Sequence, residues 1–435
     1  MKLDELKNKR ILIVGKRIEG QAAFRYLKKK FPNNVIDIVD QQDTVNYLKD
    51  EKKYDIAIKS PGVKSSVLTI PYTTSTNIFL ANTKGRVIGI TGTKGKSTTS
   101  TLIFEMLKKQ GLDVYLGGNI GQSPLDFMDT LNDQSWTVLE MSSYQLQDAK
   151  QSPHIAVLLM IVAEHLDYHL TIESYINAKR NILRFQTSSD FAVINKDYTA
   201  SNESGFETSA RVFQVSRERE CNEGCFVKNQ SVLIRKDGKD LEVIKTQEIK
   251  LIGKHNLENV CAAVMVAYLA GVSKENIAHV LRSFRGLEHR LEFVRELENV
   301  RFFNDSLATI PQATIEALDA LGETETLITG GFDRGLDYKD LGVEIADSGV
   351  KNLILFPVTG GKIWQAVCAA TKNPPEKFEI TTMQQAVRIA FAETGSGKIC
   401  LMSPASASFN LFKNYKDRGN QFKKEVALLK QNDSN

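Results

Sequence analysis

The sequence predicts an α/β protein, on three observations. Short apolar runs of strand length alternate with segments of helical length, a glycine-rich turn joins one such run to a helical pattern, and the alternation restarts twice along the chain. A chain of 435 residues also exceeds what one hydrophobic core usually supports, so two or three domains are expected.

In the first block, "RILIVG" (10–15), "VIDIVD" (35–40) and "YDIAIKSPG" (54–62) read as strands of a parallel sheet, separated by helix-length material such as 21–30. Its boundary falls near 82–86. The second block runs from about Val87 to about Phe284, with strands "VIGIT", "SWTVLE" (135–140), "IAVLLM" (155–160) and "FAVINKD" (191–197), and helices near 98–109 and 172–184. Between Arg211 and Lys250 the texture changes to "RVFQVSRE", "CFVKN", "SVLIRK" and "LEVIKT", broken by "KDGKD", which predicts a small antiparallel accessory sheet. Helical periodicity returns over 255–272. The third block starts near Arg285 with "LEFVREL" and "VRFFNDS", followed by strands "TLITGG", "NLILFP" and "KICLMSPA". No fixed-period repeat or low-complexity tract interrupts these three unequal units.

Composition narrows the function classes. Hydrophobic residues at 42% and charged ones at 25% describe an ordinary globular chain. The 56 Lys and Arg against 52 Asp and Glu leave +4, too small and dispersed a charge for a nucleic-acid partner. Acidic small molecules remain compatible, because a local basic pocket does not need a basic protein. Five cysteines, at 221, 225, 261, 368 and 400, read as free thiols of a reducing compartment; Cys221 and Cys225 lack the second ligand pair of a metal centre. "MKLDELKNKR" has no apolar signal core, and no run of eighteen apolar residues occurs, so a cytoplasmic protein without integral membrane association is expected.

The chemistry starts at "GITGTKGKSTT" (89–99). Gly95-Lys96-Ser97 satisfies the end of the phosphate-loop pattern, while Ile90 stands where its first glycine belongs, between Gly89 and Gly92. Backbone N–H groups freed by glycine and the following helix N-terminus would form an anion cradle. Lys96 would neutralise β- and γ-phosphates and Ser97 would offer a hydroxyl to Mg²⁺. A glycine-rich turn with a solvent lysine fits the local pattern too.

The same stretch resembles the phosphate loop of the Mur ligases, ATP-dependent enzymes that add amino acids to the cytoplasmic peptidoglycan precursor; folylpolyglutamate synthase is related to them. Further resemblances follow in order: "GGNIG" (117–121), "LEMSSYQL" (139–146), "EHLDYH" (164–169), "YINAKRNI" (175–182), "HNLENVCAA" (255–263), "GLEHRLE" (286–292) and "NDSLAT" (304–309). "LMSPASASFNLFKNYKDRGNQF" (401–422) is most similar to the branch that joins UDP-N-acetylmuramoyl-L-alanine to D-glutamate. The resemblance implies three domains: a Rossmann-like UDP-substrate domain over 1–84, a central ATPase domain over 85–285, and a Rossmann-like amino-acid-binding domain over 286–435. It also implies a monomer using ATP and two Mg²⁺ sites, with transfer of the γ-phosphoryl group to the acceptor carboxylate and attack of the incoming amine on the acyl phosphate. Closure of the last domain on the middle one would keep water from that acyl phosphate.

By resemblance, Gly92, Thr93, Lys94, Gly95, Lys96, Ser97 and Thr98 hold the nucleotide. Glu140 and Ser97 ligate Mg²⁺, and His165 ligates a second metal. Glu164 precedes that histidine where many relatives carry Asp. Lys179 occupies the position of a carbamylated lysine whose oxygens bind or orient Mg²⁺. Taken singly, Glu140 also reads as a solvated strand-end acid, His165 as a surface histidine and Lys179 as an ordinary surface lysine on a helix. Asn256 and Asn259 face the adenine end, Arg290 reaches ATP, and Asp305 positions ribose or a cation. On the acceptor side stand Asp40, Ser60, Gly62, Asn119 and Ser142, with the turn from Gly15 to Gly20 near the diphosphate. For the amino acid the resemblance points to Thr309, Arg334, Ser408 and Tyr415.

Departures cluster in that last pocket. Leu307 replaces a lysine, Ile310-Pro311 replaces polar material, Arg334 stands for a lysine and Tyr415 for a phenylalanine. Arg334 can offer a bidentate fork to a carboxylate, whereas Leu307 cannot replace an ammonium. The resemblance keeps D-glutamate as the leading substrate, while an apolar residue at 307 would suit a site reorganised for L-glutamate on the same precursor, which is the alternative. A non-catalytic nucleotide-binding cell-wall protein is the alternative of another class, although Lys96, Glu140, His165 and Lys179 are all retained.

Overall fold

The computed structural model describes residues 1–162, 166–254, 256–409 and 411–430. The described chain builds three β-sheets flanked by helices. Strands β1 (Ile11–Val14), β2 (Ile36–Val39), β3 (Ile56–Lys59) and β4 (Tyr72–Thr74) form an all-parallel sheet in the order β2-β1-β3-β4. The apolar runs predict the first three. Three residues with a polar bias are too short a signal for β4.

The second sheet has nine strands: β5 (Arg86–Thr91), β6 (Val114–Gly118), β7 (Trp136–Glu140), β8 (Ile155–Leu158), β9 (Phe191–Asn195), β10 (Arg211–Ser216), β11 (Gly224–Lys228), β12 (Ser231–Lys236) and β13 (Lys239–Lys245). Their order is β13-β12-β11-β10-β9-β8-β5-β7-β6. From β6 through β11 every neighbouring pair is parallel. This corrects the expected accessory sheet: 211–250 is no separate antiparallel unit, because β10 adds in parallel to β9 and only β11-β12-β13 are antiparallel. The alternating texture was a sound sign of strands but carries no information about which edge they extend. The two hairpins are readable locally. Asn229-Gln230 and Asp237-Gly238 both adopt positive φ, as two-residue turns matching strand twist require.

The third sheet contains β14 (Glu292–Leu297), β15 (Val300–Asn304), β16 (Thr324–Gly330), β17 (Asn352–Phe356), β18 (Glu376–Glu379) and β19 (Ile399–Met402) in the order β14-β15-β19-β16-β17-β18. Only β14 is antiparallel, turned back through Glu298-Asn299. Edge strand β18 reads "EKFE", with no apolar run to announce it.

The chain separates into two compact units, Met1–Lys250 with His255–Phe284, and Leu251–Lys254 with Arg285–Asn435. The first two predicted blocks thus share one unit. Their shared core explains it: Ile13, Ile58, Ile78 and Phe79 of the first block lie in one buried cluster with Phe127, Leu139, Leu158 and Ile182. Phe79 meets Phe127 edge-on at 6.1 Å. In the second unit the six-stranded sheet carries apolar clusters on both faces, one around Phe302, Phe391 and Phe422, the other around Leu327, Leu353 and Leu401. No helix of the described residues is long and apolar enough to cross a membrane.

Candidate active site

Strand β5 leaves its parallel neighbours β7 and β8 at Thr91, and the chain turns through Gly92–Gly95 into the helix Lys96–Lys109. In such sheets ligands bind beyond the carboxyl ends of the strands, where the order of connection reverses about β5. Gly95 has φ +83, and a Cβ there would lie 2.1 Å from the Asn259 Oδ1 atom. Both facts require glycine at the turn into the helix. Thr93 anchors the loop from beneath: its N–H donates to Met160 O at 2.6 Å and its hydroxyl meets Tyr175 OH at 3.0 Å. Lys96 folds back over the loop, Nζ donating to Gly92 O at 2.9 Å and Thr93 O at 2.8 Å. Thr98 is buried and Lys94 half-buried.

Glu140 ends β7 and is 2% exposed. It is no solvated acid: Oε2 accepts from Ser97 Oγ at 2.6 Å and Oε1 from Asn119 Nδ2 at 2.9 Å. A carboxylate and a hydroxyl converging beside the phosphate loop, with no lysine or arginine paired to the acid among the described residues, are oxygen donors of the kind Mg²⁺ takes. Hard oxygen ligands thus fit that ion. Two residues on, Ser142 starts a short helix over Ser143–Leu146, with Gln145 closing a capping box.

Lys179 departs from the ordinary reading of a helical lysine. It is 2% exposed, its Nζ donating to Gly92 O at 2.8 Å and lying 4.6 Å over the Tyr175 ring. Its helix, Ile172–Arg180, is four residues shorter than expected. Asn256 and Asn259 open the helix Asn256–Leu269; Asn259 Nδ2 donates to Asn256 Oδ1 at 2.9 Å, and Thr99 Oγ1 to Asn259 Oδ1 at 3.4 Å. The loop, Glu140, Lys179 and this asparagine pair are therefore brought together. Glu164 and His165 lie outside the described residues, and no cluster of three or more metal-binding side chains occurs among the described ones.

On the first sheet, Asp40 follows β2 and accepts from the N–H groups of Lys16 (2.8 Å) and Gln42 (3.1 Å). Ser60 follows β3 and donates from Oγ to Gly15 O at 3.3 Å. A Cβ at Gly62 would meet nothing within 4 Å, so that loop tip is open. The roles of Lys59, Asp148 and Glu19 escaped sequence reasoning here. Lys59, fully buried, pairs with Asp148 at 2.8 Å, and Gln145 Nε2 donates to Glu19 Oε1 at 2.6 Å. A lysine inside the run "IAIK", on a strand buried along its whole length, was the available signal.

In the second unit, Asp305 is buried, accepting from Ser403 Oγ at 2.7 Å and Leu291 N at 3.2 Å. Burial raises its carboxyl to about 7, against the opposing hydrogen bonds and the charge of Arg290. Fully buried Arg418 clamps the surrounding turns, donating to Ser306 Oγ and O and to Ser406 O. Ser306 Oγ donates to Tyr415 O at 2.7 Å, and Ser408 is buried nearby in sequence. Arg334 is exposed, donating from Nη2 to Thr309 O at 3.0 Å.

Comparison with known proteins places this geometry. Residues 90–267 match the Mur ligase middle domain. The UDP-N-acetylmuramoylalanine--D-glutamate ligase of Acetivibrio thermocellus is 33% identical, covering 97% of each chain. The corresponding ligase of Alkaliphilus metalliredigens is 34% identical, covering 98% of this chain and 99% of its own. Among solved structures, UDP-N-acetylmuramate-alanine ligase MurC of Thermotoga maritima superposes with a TM-score of 0.60 at 16% identity, over 96% of this chain and 99% of that one. That likeness shows the three-domain α/β fold. With relatives above 30% identity over nearly its whole length, the chain belongs to the UDP-N-acetylmuramoylalanine--D-glutamate ligase branch of the Mur ligases.

Proposed function

We propose that this chain uses ATP to join D-glutamate to UDP-N-acetylmuramoyl-L-alanine. The observation that carries the reading is the convergence of the phosphate loop, buried Glu140 with Ser97, and buried Lys179 at the ends of β5 and β7. We assign the acceptor to 1–84 through Asp40, Ser60 and Gly62, with Asn119 and Ser142 beyond that boundary. ATP belongs to 85–285, through residues 92–98, Asn256 and Asn259, assisted by Arg290 and Asp305. The amino acid belongs to 286–435, through Thr309, Arg334, Ser408 and Tyr415.

In this reading an oxygen of the acceptor carboxylate attacks the γ-phosphorus and ADP leaves. The glutamate amine then attacks the carbonyl carbon of the acyl phosphate, loses a proton, and orthophosphate departs with one oxygen of the former carboxylate. Backbone N–H groups of the loop orient the phosphates, and Lys96 moves its ammonium from Gly92 O and Thr93 O to their charge. Ser97, Glu140 and His165 would hold Mg²⁺, which supplies charge neutralisation of the crowded phosphate oxygens. Carbamylation of Lys179 would turn a cation facing Gly92 O into an anion able to orient the ion.

Acceptor labelled with heavy oxygen in its free carboxylate tests the route. One labelled oxygen per turnover is expected in the released orthophosphate; unlabelled phosphate from labelled acceptor contradicts it.

A further inference from the structure

A cleft of about 410 Å³ opens beside the helix Ile172–Arg180, where the end of the short helix Ser143–Leu146 and the turn formed by Leu166–His169 meet it. That volume suits a small molecule. Asn177, Asn181 and Arg184 line it at i, i+4 and i+7, from one face of the helix and the turn that follows, and Gln147 and Tyr168 line it from the other two segments. Lys179 projects from a different face, to Gly92 O at 2.8 Å, so the cleft is separate from the phosphate loop.

The wall is held by its own hydrogen bonds. Arg184 donates from Nη1 to Asn181 Oδ1 and from Nη2 to Asn177 Oδ1, both at 2.9 Å, and from Nε to Glu207 Oε2 at 3.0 Å. Glu207, 3.7 Å from Arg180 as well, offsets part of the guanidinium charge and leaves directional donors rather than an open positive field. Asn181 Nδ2 is committed to Leu146 O at 3.0 Å, and Gln147 Nε2 to Tyr168 OH at 2.7 Å. These bonds fix which end of each amide is spent. Among the described residues, Asn177 Nδ2 and Gln147 Oε1 have no partner, and each Nη of Arg184 keeps one N–H. The cleft therefore presents donors on Asn177 and Arg184 together with an acceptor on Gln147. A secondary amide matches that set, because its carbonyl oxygen accepts and its N–H donates. A carboxylate matches it poorly, having nothing to donate to Gln147 Oε1.

We propose that this cleft binds an acetamido sugar, its acyl oxygen taken by Asn177 Nδ2 and Arg184 and its amide N–H by Gln147 Oε1. A ring hydroxyl, which both donates and accepts, meets the Tyr168 hydroxyl. Tyr168 OH also lies 3.5 Å from Pro61 O, in the loop between Ser60 and Gly62. The sugar has two sources: the acetamido sugar of the acceptor, which rests on the assignment of that loop above, or a separate amino-sugar derivative.

Saturation-transfer NMR titration of the full chain with N-acetylglucosamine, without nucleotide, tests this. Wild type is expected to bind with a Kd on the order of 1 mM. Glucose, which lacks the acylamino group, and acetate, which lacks a donor, are expected to bind at least about tenfold more weakly. Asn177→Asp replaces the spare N–H by oxygen yet keeps an acceptor for Arg184, and Gln147→Leu removes the acceptor on a different segment. Each is expected to weaken the sugar at least about tenfold while thermal unfolding stays cooperative. No binding of N-acetylglucosamine, glucose or acetate binding as tightly, or unchanged affinity in either folded variant overturns the proposal and leaves the ligase reading untouched. Saturating UDP-N-acetylmuramoyl-L-alanine separates the sources: displacement of the probe assigns the cleft to the acceptor, and undiminished binding assigns it to a separate acetamido sugar.

Discussion

At Gly95 a single missing Cβ decides whether the phosphate loop closes. Positive φ costs an ordinary residue roughly 1 kcal/mol, and the 2.1 Å approach to Asn259 Oδ1 adds a clash that displaces that side chain. Gly95→Ala is expected to destabilise the chain by about 1–3 kcal/mol in denaturant unfolding and to abolish measurable ATP binding; unchanged nucleotide affinity would detach the loop from ATP. For Lys179 the discriminating experiment is chemical rescue. Lys179→Ala is expected to lose activity by about a hundredfold or more and to recover part of it with added short carboxylates. Full activity without them would exclude the carbamate. The loop glycines could be singled out by their spacing, and Glu140 and the asparagine pair by resemblance; the structure places all of them around the end of β5. Burial of Lys179 was not legible in the sequence, since periodicity assigns it to a helix without saying what packs over that face. Glu19 and Lys59 were harder still, because their partners Gln145 and Asp148 lie more than eighty residues away.

Among the elements, β3 shows how a charge can be stationed inside a sheet. Lys59 ends the strand fully buried, and Asp148, reached from beyond β7, neutralises it while Tyr72 on β4 adds a hydrogen bond. Removing one partner leaves an uncompensated buried charge, whereas removing both leaves none. Lys59→Met is therefore expected to cost about 3–5 kcal/mol in unfolding free energy, and the double variant Lys59→Met/Asp148→Asn clearly less. Additive losses would show that the pair is not coupled. The same scale explains the misread region after β9. Alternation identified the strands at 211–245, and the two-residue turns fixed the β11-β12-β13 hairpins, but the parallel addition of β10 to β9 and of β11 to β10 is encoded by no local pattern.

Over the whole molecule, three sheets with different cargo assignments come from one chain, while the first two share a core and the third stands as its own compact unit. Three α/β blocks were legible from the restarting alternation; the buried cluster shared by the first two was not, because it depends on which apolar faces meet. Specificity is likewise a property of the assembled chain. Leu307 and Arg334 alter the charge pattern expected for the amino-acid pocket, and Arg334 is exposed, with its Nη2 bonded to Thr309 O. The most direct measurement is a coupled ligase assay with ATP, Mg²⁺ and UDP-N-acetylmuramoyl-L-alanine, offering D-glutamate and L-glutamate separately and weighing the product. The account predicts orthophosphate release and a glutamyl adduct that require the acceptor and D-glutamate. An adduct from L-glutamate alone, or no phosphate above background with either, would contradict it.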